Sequence, residues 1–64
     1  MTRRTIASID RAIELLEDCL EDYNERTQYF ADNGKDNASR WNERMAHRCE
    51  AIIEKLNAVL DEAE

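Results

Sequence analysis

Sixty-four residues carry fifteen acids against nine bases, a net charge of -6, with 38% charged, 42% hydrophobic and only 6% aromatic residues. One small domain is all that such a length holds. A single glycine and no proline exclude a multi-strand fold, whose turns need such residues at roughly every 8–12 positions. The chain is also too short for the usual enzyme architectures. No apolar run is longer than Ala51-Ile52-Ile53, far from the roughly 20 residues of a membrane span.

The acidic balance argues against general nucleic-acid affinity, and duplex DNA is not expected as a ligand, because phosphates are bound by Lys and Arg. No charged-then-apolar leader follows Met1. The expected setting is the cytoplasm, where Cys19 and Cys49 remain free thiols, buried as small apolar residues. A bridge between them needs Cα atoms about 4.4–6.8 Å apart, whereas packed helices sit about 8–10 Å apart.

From Ile6 the apolar or near-apolar positions run Ile6, Ile9, Ile13, Leu16, Leu20, Tyr23, Thr27 and Phe30, alternating steps of 3 and 4. That heptad spacing predicts a first helix over about residues 4–32, roughly 40 Å long at 1.5 Å per residue. Asp32-Asn33-Gly34 ends it, since Asn and Gly accept the left-handed backbone of a helix terminus. After a turn at 33–36, Asp36 or Asn37 is the expected cap of a second helix, over about 37–62.

In that second helix Ala38, Asn42, Met45, Cys49, Ile52, Leu56, Val59 and Ala63 keep the same spacing, with Ser39, Ala46, Ile53 and Leu60 as a neighbouring row. Two long helices joined by so short a turn fold back antiparallel. Mirroring about Gly34 sets Leu16 near Ile52, Tyr23 near Met45 and Phe30 near Ala38. Inward Asn42, level with Thr27, is expected to fix register at some cost in stability.

The expected fold is therefore an all-α antiparallel hairpin. Its apolar arcs are wider than a two-helix seam, with Leu15 and Tyr29 flanking one helix and Ile53 and Leu60 the other. Burying those flanks predicts a homodimer forming a four-helix bundle, or a higher even-numbered oligomer. Ile9, Ile13, Leu16, Leu20, Tyr23, Met45, Ile52, Ile53, Leu56 and Leu60 are its candidate core. The layout resembles that of the plasmid-encoded repressor-of-primer RNA-binding proteins, helical hairpins of nearly this length that pair into four-helix bundles. The similarity is architectural; no motif residue matches, and no functional residue is carried over.

The most unusual feature is an acidic run on the first helix. Glu14, Glu17, Asp18, Glu21, Asp22 and Glu25 follow one another without a base between them. Like charges at i, i+4 cost about 0.2–0.5 kcal/mol per pair in an isolated helix. Glu14, Asp18, Glu21, Asp22 and Glu25 are accordingly the candidate contact surface for a protein with a basic face. The competing explanation is a solvated face partly neutralised by the second helix, where Lys55, Arg48 and Arg44 fall level with Glu14, Glu21 and Glu25.

A second candidate is the group Arg40, Trp41, Arg44, His47 and Arg48. An aromatic ring beside arginines can stack a nucleotide or short single strand. The competing explanation is a Trp41 packed on the bundle while the arginines pair with helix 1. His47 lies between Glu43 and Glu50, but the carboxylate–histidine order is the reverse of di-iron bundle sites, so no metal is expected. His47 is instead expected at the surface, paired with one of those glutamates. No cofactor and no catalytic residue is expected either, because no nucleophile, base and orienting group stand together and so small a bundle hardly builds a pocket of about 300 Å³. The leading expectation is a non-enzymatic interaction protein that modulates, by inhibition, a macromolecular partner. Phage accessory proteins, antitoxins and immunity proteins share this size and composition.

Overall fold

The computed structural model describes residues 1–63. Two α-helices, α1 (Arg3–Asp32) and α2 (Asp36–Ala63), form an antiparallel hairpin measuring 48 × 15 × 11 Å. Among the described residues there is no strand. The hydroxyl of Thr2 accepts from the Thr5 amide at 3.2 Å, which caps α1 and starts it at Arg3.

The turn closes by satisfying the last carbonyls of α1. The Lys35 amide donates to Phe30 O at 2.8 Å and the Gly34 amide to Ala31 O at 3.2 Å, the paired bonds of a Schellman ending. That geometry needs a left-handed residue, and Gly34 supplies it with φ 72°. No atom crowds the position a Gly34 Cβ would take, so only the backbone resists a side chain there. Gly34→Ala is expected to destabilise the hairpin by about 1–2 kcal/mol, read as an earlier urea midpoint with unchanged slope. An unchanged midpoint would contradict this reading of the turn.

Asp36 does not cap α2 from outside, and neither does Asn37. Asp36 already belongs to the first helical turn, and the Lys35 carbonyl accepts from the Ser39 amide at 3.0 Å. The carboxylate of Asp36 therefore acts on the positive end of the helix dipole from within the first turn.

The seam between the helices is narrow. Ile13, Ala46 and Cys49 are buried, with Asn42 only 4% exposed. Ile9, Leu16, Leu20, Tyr23, Thr27 and Phe30 extend it half-buried along α1, and Ser39, Ile53, Leu56 and Leu60 along α2. This corrects the expected pairing in α2. Ile53 and Leu60 lie in the seam, whereas Ile52 and Val59 are 44% and 39% exposed beside it, so Ile53 rather than Ile52 shares the seam with Leu16. Ser39 and Ala46, the small members of the Ile53 row, let the backbones approach, and the Ser39 hydroxyl donates across to Thr27 O at 2.9 Å.

Asn42 is buried as expected, but it makes no bond to α1. Its amide donates to Ala38 O in its own helix at 2.8 Å, and its Oδ1 has no partner. Thr27, the residue level with it, turns its hydroxyl back to Tyr23 O at 2.8 Å.

Candidate functional site

At about 100° of rotation per residue, positions seven apart form a row along a helix, and the seam divides the rows into two sides. A groove marks one side, bringing Glu17 and Leu20 of α1 together with Glu50, Ile53, Glu54 and Asp61 of α2. The other side is marked by the rings of Tyr23 and Trp41, which meet edge-on with centroids 6.1 Å apart.

The groove side is acidic. Glu14, Glu17 and Glu21 reach it from α1, and Glu43, Glu50, Glu54 and Asp61 from α2, all exposed. Leu20, Ile53 and Ala58 give the groove an apolar floor beneath four carboxylates. The contribution of α2 was not expected from the sequence. Its signal was present in the rows Glu43–Glu50–Asn57 and His47–Glu54–Asp61, each seven apart.

The five carboxylates expected to form one contact surface spread around the outside of α1. All are exposed. Glu14 and Glu21 share the groove side, Asp18 and Glu25 follow on the back, and Asp22 turns towards the opposite side. Neutralisation by α2 does not occur within the hairpin. Among the described residues the single ion pair is Arg11–Glu14 at 3.5 Å, with side chains 72% and 68% exposed. An exposed pair of that kind contributes about 1 kcal/mol at most. Glu14 and Glu21 stay clear of Lys55 and Arg48 because these bases lie on the other side of the seam, although they are level along the axis.

The Arg40–Trp41–Arg44–His47–Arg48 group does not converge either. Trp41 and Arg48 share a row on the side opposite the groove, Arg44 faces directly outward, and Arg40 and His47 lie towards the acidic side. Trp41 remains 49% exposed despite its contact with Tyr23, so neither a stacking pocket nor a packed bundle end is formed within one hairpin. Arg26 caps the other face of this small cluster, its guanidinium 5.2 Å from the Tyr23 ring centroid.

Both cysteines are free, but they differ from the expected pair of buried thiols. Cys49 is in the seam, while Cys19 is exposed on the Trp41 side. His47 is exposed and forms no ion pair among the described residues, so the pairing expected with Glu43 or Glu50 is absent. Among the described residues no three His, Cys, Asp or Glu side chains group as metal ligands.

Two concave regions exceed the volume expected of so small a chain, the acidic groove at ≈ 520 Å³ and a polar one of ≈ 570 Å³ around Gly34–Ala38 and Arg40. Both are open troughs between side chains, not enclosed cavities. Among the described residues no helix is long and apolar enough to cross a membrane. No family model, curated protein or solved structure matches the chain at a significant level.

Proposed function

We propose that this chain is a non-enzymatic interaction protein of the cytoplasm, of the phage-accessory, antitoxin or immunity-protein kind. Two hairpins pair as a homodimer in a four-helix bundle, and the bundle inhibits a macromolecular partner by covering a basic surface on it. One observation carries the reading. Most of one side of the hairpin, from Glu14 to Glu21 on α1 and from Glu43 to Asp61 on α2, presents exposed carboxylates with no lysine or arginine among them, Arg40 lying beyond Glu43 at the turn end. Among the described residues no ion pair from the other helix discharges it.

Such a surface repels its own copy, favours a basic partner and speeds encounter with it by electrostatic steering. The apolar floor of Leu20, Ile53 and Ala58 supplies area for the stems of lysine or arginine side chains beneath their charges. Glu17, Glu50, Glu54 and Asp61 are the centre of the contact, with Glu14 and Glu21 beside them on α1 and Asp18 and Glu25 at its margin.

The charge-reversed variant Glu14→Lys with Glu21→Lys tests this. Wild-type protein immobilised under reducing conditions is expected to retain a basic protein from its native host's lysate, with retention falling as salt is raised. The variant, equally helical by circular dichroism, is expected to lose that protein at least tenfold. Equal retention by both proteins would contradict the proposed surface.

A further inference from the structure

The side opposite the acidic groove carries the hairpin's unspent apolar surface. Away from Met1 and the turn-proximal Tyr29, the exposed large apolar side chains are Leu15 at 52%, Trp41 at 49%, Ile52 at 44% and Val59 at 39%. All four lie on this side. Half-buried Ala12 and Met45 and exposed Cys19 fill the rows between them. Among the described residues Arg26 is the one charge in the inner rows, between the Leu15 row and the Trp41 row, and it lies back over Tyr23.

We propose that a second copy of this chain covers this side, with α1 of each hairpin lying over α2 of the other and both turns at the same end of the bundle. The inference rests on the homodimer reading above and adds its face and its topology. Two observations select a second copy on this face. The core of one hairpin is too small: Ile13, Ala46 and Cys49 are its only buried apolar residues among those described. Chains of this size commonly complete their cores by association. The alternative face is closed to self-association, because stacking two copies there would bring two sets of Glu17, Glu50, Glu54 and Asp61 together.

Charge then chooses between the two symmetric ways of stacking. The α1 edge of the apolar side is acidic at mid-length, with Asp22 in the Leu15 row and Asp18 and Glu25 behind it. The α2 edge is basic, with Arg48 and Lys55 in the Trp41 row and Arg44 behind them. None of these charges has an ion-pair partner within the hairpin among the described residues. A two-fold axis parallel to the helices sets the acidic edge of each copy beside the basic edge of the other, bringing Asp22 level with Arg44 and Arg48. A two-fold axis perpendicular to the helices would instead lay α1 along α1, acid against acid. Both arrangements keep every neighbouring pair of helices antiparallel, so charge alone separates them, and only the first neutralises both edges.

The test has three arms, each on the full chain. Sedimentation equilibrium of the wild type, of Ile52→Glu with Val59→Glu, and of the charge swaps gives the dimer dissociation constant. Charges placed at both apolar positions are expected to weaken dimerisation on the order of a hundredfold or more. Asp22→Arg and Arg48→Glu are each expected to weaken it several-fold, and their combination to restore it, because the two residues would meet only across copies. Finally, nitroxide labels on Lys35→Cys, in a Cys19→Ser and Cys49→Ala background, report the separation of the two turns by dipolar spectroscopy.

Turns at one end give a distance far below the hairpin's 48 Å length, the spacing expected if the turns were at opposite ends. A separation near 48 Å, or a charge swap that fails to restore affinity, would overturn the topology. Dimerisation unaffected by glutamates at positions 52 and 59 would overturn the face. A wild-type monomer at every accessible concentration would instead remove the homodimer reading on which this inference stands. Because the charge-swap arm leaves the apolar side chains untouched and the label arm changes only Cys19 among them, by one atom, loss of folding in the glutamate variant does not blunt the test.

Discussion

Ile13→Ala is expected to leave most of the protein unfolded at 25 °C and low micromolar concentration. Ile13 is 8% exposed and is the only branched aliphatic side chain buried in the seam among the described residues. Deleting such a side chain costs about 2–5 kcal/mol through lost transfer energy and the cavity left behind. A core in a chain below roughly 70–80 residues supplies about 3–5 kcal/mol in all, so the loss is comparable with the whole. The rest of the seam offers little to refill the gap, since Ala46 and Cys49 are small, Asn42 is polar and the other seam residues are half-buried. Circular dichroism in a urea series reads the effect directly. A midpoint within experimental error of the wild type would show that the helices are held together elsewhere.

Asn42→Leu is expected to act in the opposite direction, raising stability by about 2–4 kcal/mol. Two effects of the same sign combine. The buried Oδ1 has no partner, and an unsatisfied buried acceptor costs about 1–3 kcal/mol. Leucine also adds apolar area at a position only 4% exposed, where burial contributes about 1.5–3 kcal/mol for a full side chain. Against these stands the lost bond from Asn42 Nδ2 to Ala38 O, worth about 1 kcal/mol within one helix. A buried asparagine of this kind trades stability for a defined register and oligomer number. The stabilised variant is therefore also expected to populate more than one assembly in sedimentation velocity. A lower melting temperature for Asn42→Leu would mean that the asparagine has a partner in the assembled protein.

Much of the fold is legible in the sequence because helical periodicity and turn chemistry are local. Alternating steps of 3 and 4 mark both helices, and Asn33-Gly34 marks the turn where the Gly34 φ of 72° is needed. What sequence leaves open is rotation about the axis of α2. The row Asn42–Cys49–Leu56 belongs equally to the stripe completed by Met45, Ile52 and Val59 and to the stripe completed by Ala46, Ile53 and Leu60. Both have heptad spacing. Close approach at Ser39 and Ala46 selects the second and releases Ile52 and Val59 to the outer surface.

The same ambiguity governs the charges. Residue sums place Glu21 level with Arg48 and Glu14 with Lys55, but level says nothing of side. The seam puts the members of each pair on opposite sides of the hairpin, so neither pair forms. Likewise, Glu17 and Glu50 lie on different helices, and their meeting at one groove depends on the rotation that periodicity leaves free. Once that rotation is fixed, the division into an acidic side and an apolar side follows from the sequence alone.

On the proposed reading, the hairpin is half of an assembly whose outer surface is acidic and free of ligand. Native mass spectrometry of protein purified gently under reducing conditions tests it most directly. The predicted result is a species of twice 7.5 kDa with no added mass. A bare 7.5 kDa monomer at micromolar concentration would contradict the assembly. Any oligomer carrying a few hundred extra daltons per site would contradict the ligand-free claim and move attention to Trp41, Arg44 and Arg48.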